Sequence, residues 1–398
     1  MNTQDYVQLE NQYGAHNYHP LDVVITKARG PWVTDVDGKK YLDCLSAYSA
    51  VNQGHCHPKI VRAMTAQAKK VALTSRAFRN DRLPLFYKKL HDLLGYDMAL
   101  PMNSGAEAVE SAVKLARKWG YQVKSIPENQ AEIIVAEGNF HGRTTTIISF
   151  STEEAYKEDF GPFTPGFKAV SYGDFEALKQ AVTPYTGAIM LEPIQGENGV
   201  IIPPQGFLKA VSDLCKQENI LFIADEIQTG LCRTGQWLAS HHEGVRPDIV
   251  CLGKALSGGM YPVSVVLADK PIMGLFQPGQ HGSTFGGSPM AAAVGLAALE
   301  VLEEKKLNER ATELGEYFMG KLRKIKNPLI KEIRGKGLLI GLELYPEAGG
   351  ARRYCEALQQ LGLLCKETHQ HVIRFAPPLV VTKRELDWAF RRIAKVLK

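Results

Sequence analysis

The chain has 398 residues and a formal net charge of +5, with 45% hydrophobic and 22% charged residues. These values are ordinary for a globular protein, and they exclude a disordered chain, a collagen-like repeat and a disulfide scaffold. The charge is small for this length and no basic block is present, so nucleic-acid binding is not favoured. Length alone predicts two or three domains.

The seven cysteines are odd in number and form no CxxC pair, which favours reduced thiols in a reducing compartment. The first thirteen residues are polar, and they lack the apolar stretch of a secretory signal and the arginines of a transit peptide. No segment approaches the roughly 18 consecutive apolar residues that a membrane helix needs. We therefore expect a soluble, cytoplasmic protein with no membrane partner.

In chain order, residues 1–48 read as irregular, with a small hairpin around residues 33–38. Short apolar runs then alternate with amphipathic segments from residue 58 to 304. This alternation predicts a largely parallel sheet with helices on both faces, in an α/β fold. The predicted strands are 132–136, 187–191, 220–224, 249–252 and 262–267. The predicted helices are 58–71, 106–119, 206–218 and 289–304.

Beyond residue 305 a charged helix at 306–324 is followed by IRGKGLLIGLEL, another helix, HVIRFAPPL and a final helix. This order predicts a small α+β domain whose strands need not be parallel. We therefore divide the chain into an N-terminal segment (1–48), a large α/β domain (49–304) and a small C-terminal domain (305–398).

The segment LFIADEIQTG, residues 221–230, places Asp225 directly after an apolar run typical of a strand buried on both faces. An ionised carboxylate taken out of water costs several kcal/mol unless a partner compensates it. Ligands of open parallel sheets bind beyond the carboxyl ends of the strands. We therefore expect Asp225 to face a cationic group of a ligand.

Lys254 follows another apolar strand, where DIVCL passes into GKALSGG. Desolvation would lower the pKa of this amine, which suits a nucleophile that forms a Schiff base with an aldehyde. The alternative is a lysine that extends to the surface beside a flexible turn.

Ser104, Gly105 and Ala106 precede a good helix, and the free N–H groups of a helix start bind anions. Ser104 could equally be a simple N-cap. An anion site, a strand-end lysine and a strand-end carboxylate together fit a phosphorylated pyridine aldehyde. Lys254 would bind its aldehyde, and Asp225 would keep the ring nitrogen protonated so that the ring withdraws electrons from the substrate.

Eight motifs spread over nearly the whole chain resemble the class III, pyridoxal-phosphate-dependent aminotransferases of fold type I. These motifs are YGAHNYHPL (13–21), SAYSAVNQGHCHPKI (46–60), GNFHGRT (138–144), EPIQGENG (192–199), LFIADEIQTG (221–230), LGKALSGGMYPVS (252–264), HGSTFGG (281–287) and IRFAPPL (373–379). The HNYHP segment and the context of Tyr48 are similar to members that transfer the δ-amino group of ornithine to 2-oxoglutarate.

This resemblance implies roles for the cofactor-binding residues. Gln228 would hydrogen-bond the ring hydroxyl, although a surface turn is the alternative, and Phe140 would stack on the pyridine ring. Ser283 and Thr284 would reach the phosphate of the partner subunit, which makes the expected assembly a homodimer with shared active sites.

The resemblance also implies a substrate site. Arg374, an arginine in an apolar strand, would bind the α-carboxylate of glutamate and 2-oxoglutarate bidentately. Glu197 would pair with Arg374 when ornithine is bound. Tyr18 and Arg143 would hold the α-amino and α-carboxylate end of ornithine, and Tyr48 would line the pocket and help to position Glu197.

Two residues depart from the family pattern: His141 stands where an aromatic residue is usual, and Cys232 where a small residue is typical. We expect neither to affect the chemistry of Lys254. His55-Cys56-His57 resembles a metal-ligand set but has no third ligand cluster at a suitable spacing, so no metal is expected.

Alternative functions stay open at this point. The nearest is another ω-aminotransferase of the same class, acting on N-acetylornithine or 4-aminobutyrate. A catalytically inert binding protein on the same scaffold is another, and a nicotinamide enzyme would lack its GxGxxG fingerprint. The sequence leaves open whether the activity would serve arginine breakdown or proline biosynthesis.

Overall fold

The structure is a computed structural model that describes residues 1–398. The helices are α1 (Thr3–Tyr13), α2 (Pro58–Ala68), α3 (Leu83–Leu94), α4 (Gly105–Gln122), α5 (Thr145–Ser149), α6 (Phe175–Ala181), α7 (Phe207–Gln217), α8 (Lys270–Met273), α9 (Pro289–Glu304), α10 (Leu307–Leu322), α11 (Arg352–Gln360) and α12 (Lys383–Val396). None of them combines the length and apolar character required to span a membrane.

Fifteen strands accompany these helices. They are β1 (Ile25–Arg29), β2 (Trp32–Asp35), β3 (Lys40–Asp43), β4 (Met98–Met102), β5 (Glu132–Ala136), β6 (Phe167–Val170), β7 (Thr186–Leu191), β8 (Leu221–Asp225), β9 (Ile249–Leu252), β10 (Ser264–Ala268), β11 (Ile330–Lys336), β12 (Leu339–Leu344), β13 (Leu363–Leu364), β14 (Lys366–Thr368) and β15 (Val372–Phe375).

The central sheet has seven strands in the order β4-β10-β9-β8-β7-β5-β6. The strands from β9 to β6 pair in parallel, and only β10 runs antiparallel to its two neighbours. The predicted α/β fold with a largely parallel sheet is therefore confirmed. The apolar runs form these strands because helices cover both faces: Ile133 and Val135 pack in the cluster with α4, and Ile134 and Ala136 in the cluster with α7.

Two smaller sheets lie outside this core. The sheet β11-β12-β15-β14 is antiparallel throughout. This agrees with the prediction that the C-terminal part is α+β and that its strands need not be parallel. The second joins the two ends of the chain, because β3 of the hairpin β2–β3 pairs in parallel with β13. The domain boundaries placed after residues 48 and 304 stay predictions.

The description of residues 1–48 as irregular is wrong. They form α1 and the strands β1 to β3, with the hairpin close to its predicted place. Asn2 caps α1 and Asp5 completes a capping box, a local signal that predicts a helix start. The edge strands β4 and β6 were also missed, because β4 contains Pro101 and β6 is only partly buried.

A glycine contact joins the C-terminal sheet to the loop beyond β8. A Cβ placed on Gly315 of α10 would lie 2.0 Å from the carbonyl oxygen of Gly337 in the β11–β12 turn. A Cβ on Gly337 would in turn lie 2.5 Å from the carbonyl carbon of Thr234. Helix, turn and loop therefore touch backbone to backbone, and only glycine fits at the first two positions.

We expect Gly315→Ala to destabilise the protein by about 3 kcal/mol, because the added methyl group meets backbone atoms that cannot rotate away. Gly320→Ala on the same helix is the matched control, since nothing lies within 4 Å of its added Cβ. It should stabilise by up to about 1 kcal/mol, as alanine is the better helix former. Urea denaturation of the two variants compares them, and equal midpoints would contradict this packing.

Candidate active site

The carboxyl ends of the parallel strands surround a cavity of about 210 Å³. Six of the residues predicted to bind the cofactor line it together, and they come from four different elements of the fold. They are Gly105 and Ala106 in the first turn of α4, Phe140 after β5, Asp225 and Gln228 at and after β8, and Lys254 after β9. Residues far apart in sequence thus share one site, as expected for an open parallel sheet.

Asp225 is the last residue of β8 and is almost fully buried. Its Oδ1 accepts a hydrogen bond from the Ile227 N–H at 3.1 Å, and its Oδ2 lies 2.6 Å from Nδ1 of His141. The imidazole of His141 thus contacts the carboxylate predicted to hold the ring nitrogen, and the expectation that His141 leaves the chemistry of Lys254 unaffected stays a prediction. Only the fold brings these two residues together.

Lys254 begins a short 3₁₀ turn, Lys254–Ser257, and its backbone is in the left-handed region with φ of +43°. Such a conformation is costly for a lysine and is typical of functional sites. Burial lowers the pKa of the amine, and the carboxylates of Glu197 and Asp225 offset this only in part. A larger neutral fraction makes the amine a better nucleophile.

The start of α4 carries a capping box and lies at the cavity wall. Oγ of Ser104 accepts a hydrogen bond from the Glu107 N–H at 3.2 Å, and the Glu107 carboxylate accepts one from the Ser104 N–H at 2.7 Å. Ser104 is thus an N-cap, and its contact with a phosphate stays a prediction. Gly105 and Ala106 follow it at the cavity wall, where the N–H groups of a first helical turn have no intrahelical acceptors.

The chemistry of these groups fits a phosphorylated pyridine aldehyde. An amine with a lowered pKa, a buried carboxylate and a helix start with free N–H donors line the same cavity. Gly105 leaves room there, because a Cβ at this position would lie 3.1 Å from the side chain of Ile227, which would have to shift by a few tenths of an ångström. Lys254 would bind the aldehyde, Asp225 the ring nitrogen and the α4 start the phosphate.

The buried Arg374 forms an ion pair with the partly exposed Glu197 beside this cavity. Nη1 of Arg374, a residue of β15, lies 2.7 Å from Oε1 of Glu197. Burial raises the pKa of Glu197, but the charge and hydrogen bond of Arg374 outweigh this and lower it to about 2. Gln228 donates from Nε2 to the same carboxylate at 2.8 Å, so its amide joins the ion pair to the cavity. Its bond to a ring hydroxyl stays a prediction.

Tyr48 is presented by a left-handed turn, because residues 46 to 49 all have φ between +46° and +75°. Each non-glycine residue in this region costs about 1–2 kcal/mol. The turn is stabilised by Ser46, whose hydroxyl donates to the Ala376 carbonyl at 2.6 Å, and by Asp43, which accepts from two backbone N–H groups. As a result the guanidinium of Arg374 lies 5.0 Å from the Tyr48 ring centre.

Arg143 and Tyr18 lie outside the cavity and are exposed. The guanidinium of Arg143 stacks on Tyr156, with 4.1 Å from its carbon to the ring centre. The segment of Tyr18 is held to α11, because Arg352 donates to the carbonyl groups of the two following residues. A second cavity of about 140 Å³, lined by Phe140, Tyr156 and Glu197, adjoins the first through Phe140.

Ser283 and Thr284 do not line the cavity of their own chain. Oγ of Ser283 accepts a hydrogen bond from the side-chain amide of Asn103 at 2.8 Å, and Thr284 is exposed. The neighbouring Phe285 has 48% of its surface exposed, which is high for an aromatic residue. A role for this segment in a partner subunit stays a prediction.

The sequence analysis missed Glu192, which also lines the cavity. It directly follows β7 and is fully buried, and burial raises the pKa of its carboxyl to about 8. Its Oε2 accepts a hydrogen bond from the Phe140 N–H at 2.9 Å and so fixes the backbone that carries this ring. A carboxyl group at the end of an apolar run is the signal that identified Asp225, and it would have identified Glu192 as well.

Comparison with known proteins gives the family. The model of the family Aminotransferase class-III matches residues 13–397, so the chain belongs to the class III aminotransferases. These are enzymes that use pyridoxal phosphate, and pyridoxal phosphate is accordingly the cofactor of this chain. The geometry of Lys254, Asp225 and the start of α4 suits this cofactor.

Three relatives are closely similar over their full length. The ornithine aminotransferase of Halalkalibacterium halodurans is 60% identical over 396 residues, which cover 100% of this chain and 99% of the relative. A Toxoplasma gondii ornithine aminotransferase structure with partial occupancy of PLP has a TM-score of 0.98 and 46% identity, covering 100% and 94%. The acetylornithine aminotransferase of Elizabethkingia anophelis has a TM-score of 0.91 and 52% identity, covering 100% and 99%.

The lowered pKa of Lys254 predicts fast reaction with amine reagents. In cofactor-stripped protein, cyanate should carbamylate Lys254 several-fold faster than the exposed Lys40 at mildly alkaline pH, because more of its amine is neutral. Added pyridoxal phosphate should protect Lys254 and leave Lys40 unaffected. Peptide mass spectrometry measures both rates. Equal rates without protection would show that Lys254 is an ordinary surface amine.

Proposed function

We propose that this enzyme transfers the δ-amino group of L-ornithine to 2-oxoglutarate and forms L-glutamate 5-semialdehyde and L-glutamate. The observation that carries the proposal is the Glu197–Arg374 ion pair beside the cavity. Arg374 can be neutralised by Glu197 or left free to bind a substrate carboxylate. This suits an enzyme with two amino donors, because glutamate has a carboxylate next to its reacting carbon and the δ end of ornithine has none. Full-length relatives with the name ornithine aminotransferase support the same reaction.

The residues of the cavity divide the chemistry among them. Bound pyridoxal phosphate supplies an electron sink when the substrate carbon loses its proton. The amine of Lys254 would take up that proton as a general base. It would then give the proton to the aldehyde carbon of the cofactor as a general acid. Asp225 would keep the ring nitrogen protonated, Phe140 would hold the ring from one face, and Gly105 and Ala106 would bind the phosphate.

The two substrates place different demands on Arg374. At the δ end of ornithine there is no carboxylate, and a buried, unpaired guanidinium would be costly, so Glu197 neutralises it. A substrate with an α-carboxylate next to the reacting carbon would take the place of Glu197 and bind the planar guanidinium through two hydrogen bonds. Glu197 is 25% exposed and so has room to move, whereas Arg374 is 1% exposed and stays fixed.

The far end of ornithine carries a free amino group and a carboxylate. Arg143 is exposed beside the second cavity and would bind the carboxylate, while the hydroxyl of Tyr18 would accept from the amino group. Tyr48 packs against Arg374 and would fill the space between the two ends. These contacts would orient ornithine so that its δ-amine faces Lys254.

The proposed enzyme is a cytoplasmic homodimer. The exposed segment with Ser283, Thr284 and Phe285 supports a second copy of the chain as its partner, which would receive this segment at its phosphate site. All seven cysteines are free thiols and six of them are buried, which supports a reducing compartment. The reaction would contribute to arginine metabolism and proline biosynthesis.

N-acetylornithine is the second candidate donor, favoured by the likeness to the Elizabethkingia anophelis acetylornithine aminotransferase at 52% identity. Acetylation removes the positive charge at the far end of the molecule and leaves its carboxylate. Arg143 would therefore serve both donors, and Tyr18 is the residue that would discriminate between them.

A donor panel tests the proposal. With 2-oxoglutarate as acceptor, we expect kcat/KM for ornithine to exceed that for N-acetylornithine and 4-aminobutyrate by at least about tenfold. Trapping of the cyclised semialdehyde identifies the product. Tyr18→Phe should lower the ratio of kcat/KM for ornithine to kcat/KM for N-acetylornithine. The half-reaction of the cofactor with glutamate should be unchanged and serves as the control. A preference for N-acetylornithine would contradict the proposal.

A further inference from the structure

His141 is a polar residue whose side chain is completely buried. Its side chain has no exposed surface, and its ring packs against Phe150 with 5.9 Å between the ring centres. Nδ1 lies 2.6 Å from Oδ2 of Asp225, while Nε2 has no hydrogen-bond partner. Burying a polar atom without a partner is unfavourable, so the contact with Asp225 is what offsets the cost of an imidazole at this position.

The direction of this hydrogen bond follows from its partner. An ionised carboxylate only accepts hydrogen bonds, so Nδ1 carries the proton and donates it. The charged groups that face His141 are the carboxyl of Asp225 on β8 and that of Glu192 after β7. Burial lowers the pKa of His141, but the hydrogen bond and charge of Asp225, with the charge of Glu192, outweigh it and raise the pKa above its usual value.

We propose that His141 is a positioning residue that fixes the carboxylate of Asp225 for the pyridinium nitrogen. The Ile227 N–H binds Oδ1 and the His141 N–H binds Oδ2, so each oxygen has one fixed donor. Two fixed donors prevent rotation of the carboxylate and stabilise its ionised form. This inference deepens the proposed function and rests on its cofactor, because Asp225 needs a defined orientation only if it serves a ring nitrogen.

Phe140, the neighbour of His141 in sequence, has a different proposed role. Phe140 and His141 are adjacent in sequence and both line the cavity, where Phe140 is assigned to the ring face and His141 to the carboxylate. The Phe140 N–H is bound by Glu192, which fixes the backbone from which both side chains project. A phenylalanine in place of His141 could fill the volume but could not donate to Asp225.

Three holoenzyme variants test the proposal. His141→Phe keeps a ring and removes the donor, whereas His141→Asn keeps an N–H near the position of Nδ1 and cannot titrate. Phe150→Leu disturbs the packing around His141 and leaves the hydrogen bond in place, so it is the matched control. The readouts are the dissociation constant of pyridoxal phosphate and the pH dependence of its visible absorption, and neither of them requires turnover.

We expect His141→Phe to weaken cofactor binding about tenfold and to make the visible absorption depend more strongly on pH than in the parent enzyme, because Asp225 then lacks one donor. His141→Asn should recover most of both properties, and Phe150→Leu should resemble the parent enzyme. If His141→Phe binds the cofactor and absorbs as the parent does, the proposal is overturned. It is also overturned if Asn rescues nothing, or if Phe150→Leu has the same effect as His141→Phe.

These outcomes are separate from those that test the proposed function. A parent enzyme that binds the cofactor but rejects ornithine would contradict the assigned substrate and leave the role of His141 intact. A parent enzyme that uses ornithine, together with a His141→Phe variant of unchanged affinity and spectrum, would contradict the role of His141 alone.

Discussion

The structure depends on one buried carboxylate, Asp225, at the end of β8. It is 4% exposed, and an isolated charge in such a place would be strongly destabilising. Two protein donors compensate it in part, and the positively charged ring of the cofactor would complete the compensation. The open parallel sheet makes this possible, since its strand ends converge on one cavity that the start of α4 and Lys254 also line.

The electrostatics of the site follow from this arrangement. Asp225, Glu192 and Glu197 are three carboxyl groups around one cavity, yet their environments differ. Arg374 holds the pKa of Glu197 at about 2, whereas burial without a cationic side chain in direct contact raises the pKa of Glu192 to about 8. The environment therefore favours the ionised form of Glu197 beside Arg374 and disfavours that of Glu192 beside Phe140. Separation of pKa values by environment is a usual property of active sites.

The sequence predicted what depends on local patterns. The strands β5 and β9 have the predicted bounds, because a short apolar run rich in isoleucine and valine is typical of a strand covered on both faces. The positions of Asp225 and Lys254 at strand ends followed from the same runs. The edge strand β4 was not predicted, since it contains a proline, which is uncommon inside strands.

Long-range contacts could not be predicted from one sequence. The hydrogen bond between His141 and Asp225 joins the loop after β5 to the end of β8, and no spacing rule connects them. The left-handed turn at Tyr48 contains no glycine, so its backbone conformation has no sequence signal; contacts with Asp43 and with Ala376 of the distant C-terminal part impose it. Local chemistry thus predicts the residues that bind the cofactor, and only the fold reveals which neighbours support them.

The proposed ion pair between the Asp225 carboxylate and the protonated pyridine nitrogen of the cofactor can be tested directly. Nitrogen NMR of the holoenzyme, with pyridoxal phosphate labelled at the pyridine nitrogen, reports whether this atom is protonated. The structure predicts a protonated nitrogen throughout the neutral pH range in the parent enzyme and a neutral nitrogen in Asp225→Asn, which keeps the shape of the side chain and removes its charge. An unprotonated nitrogen in the parent enzyme, or a protonated one in Asp225→Asn, would contradict the account.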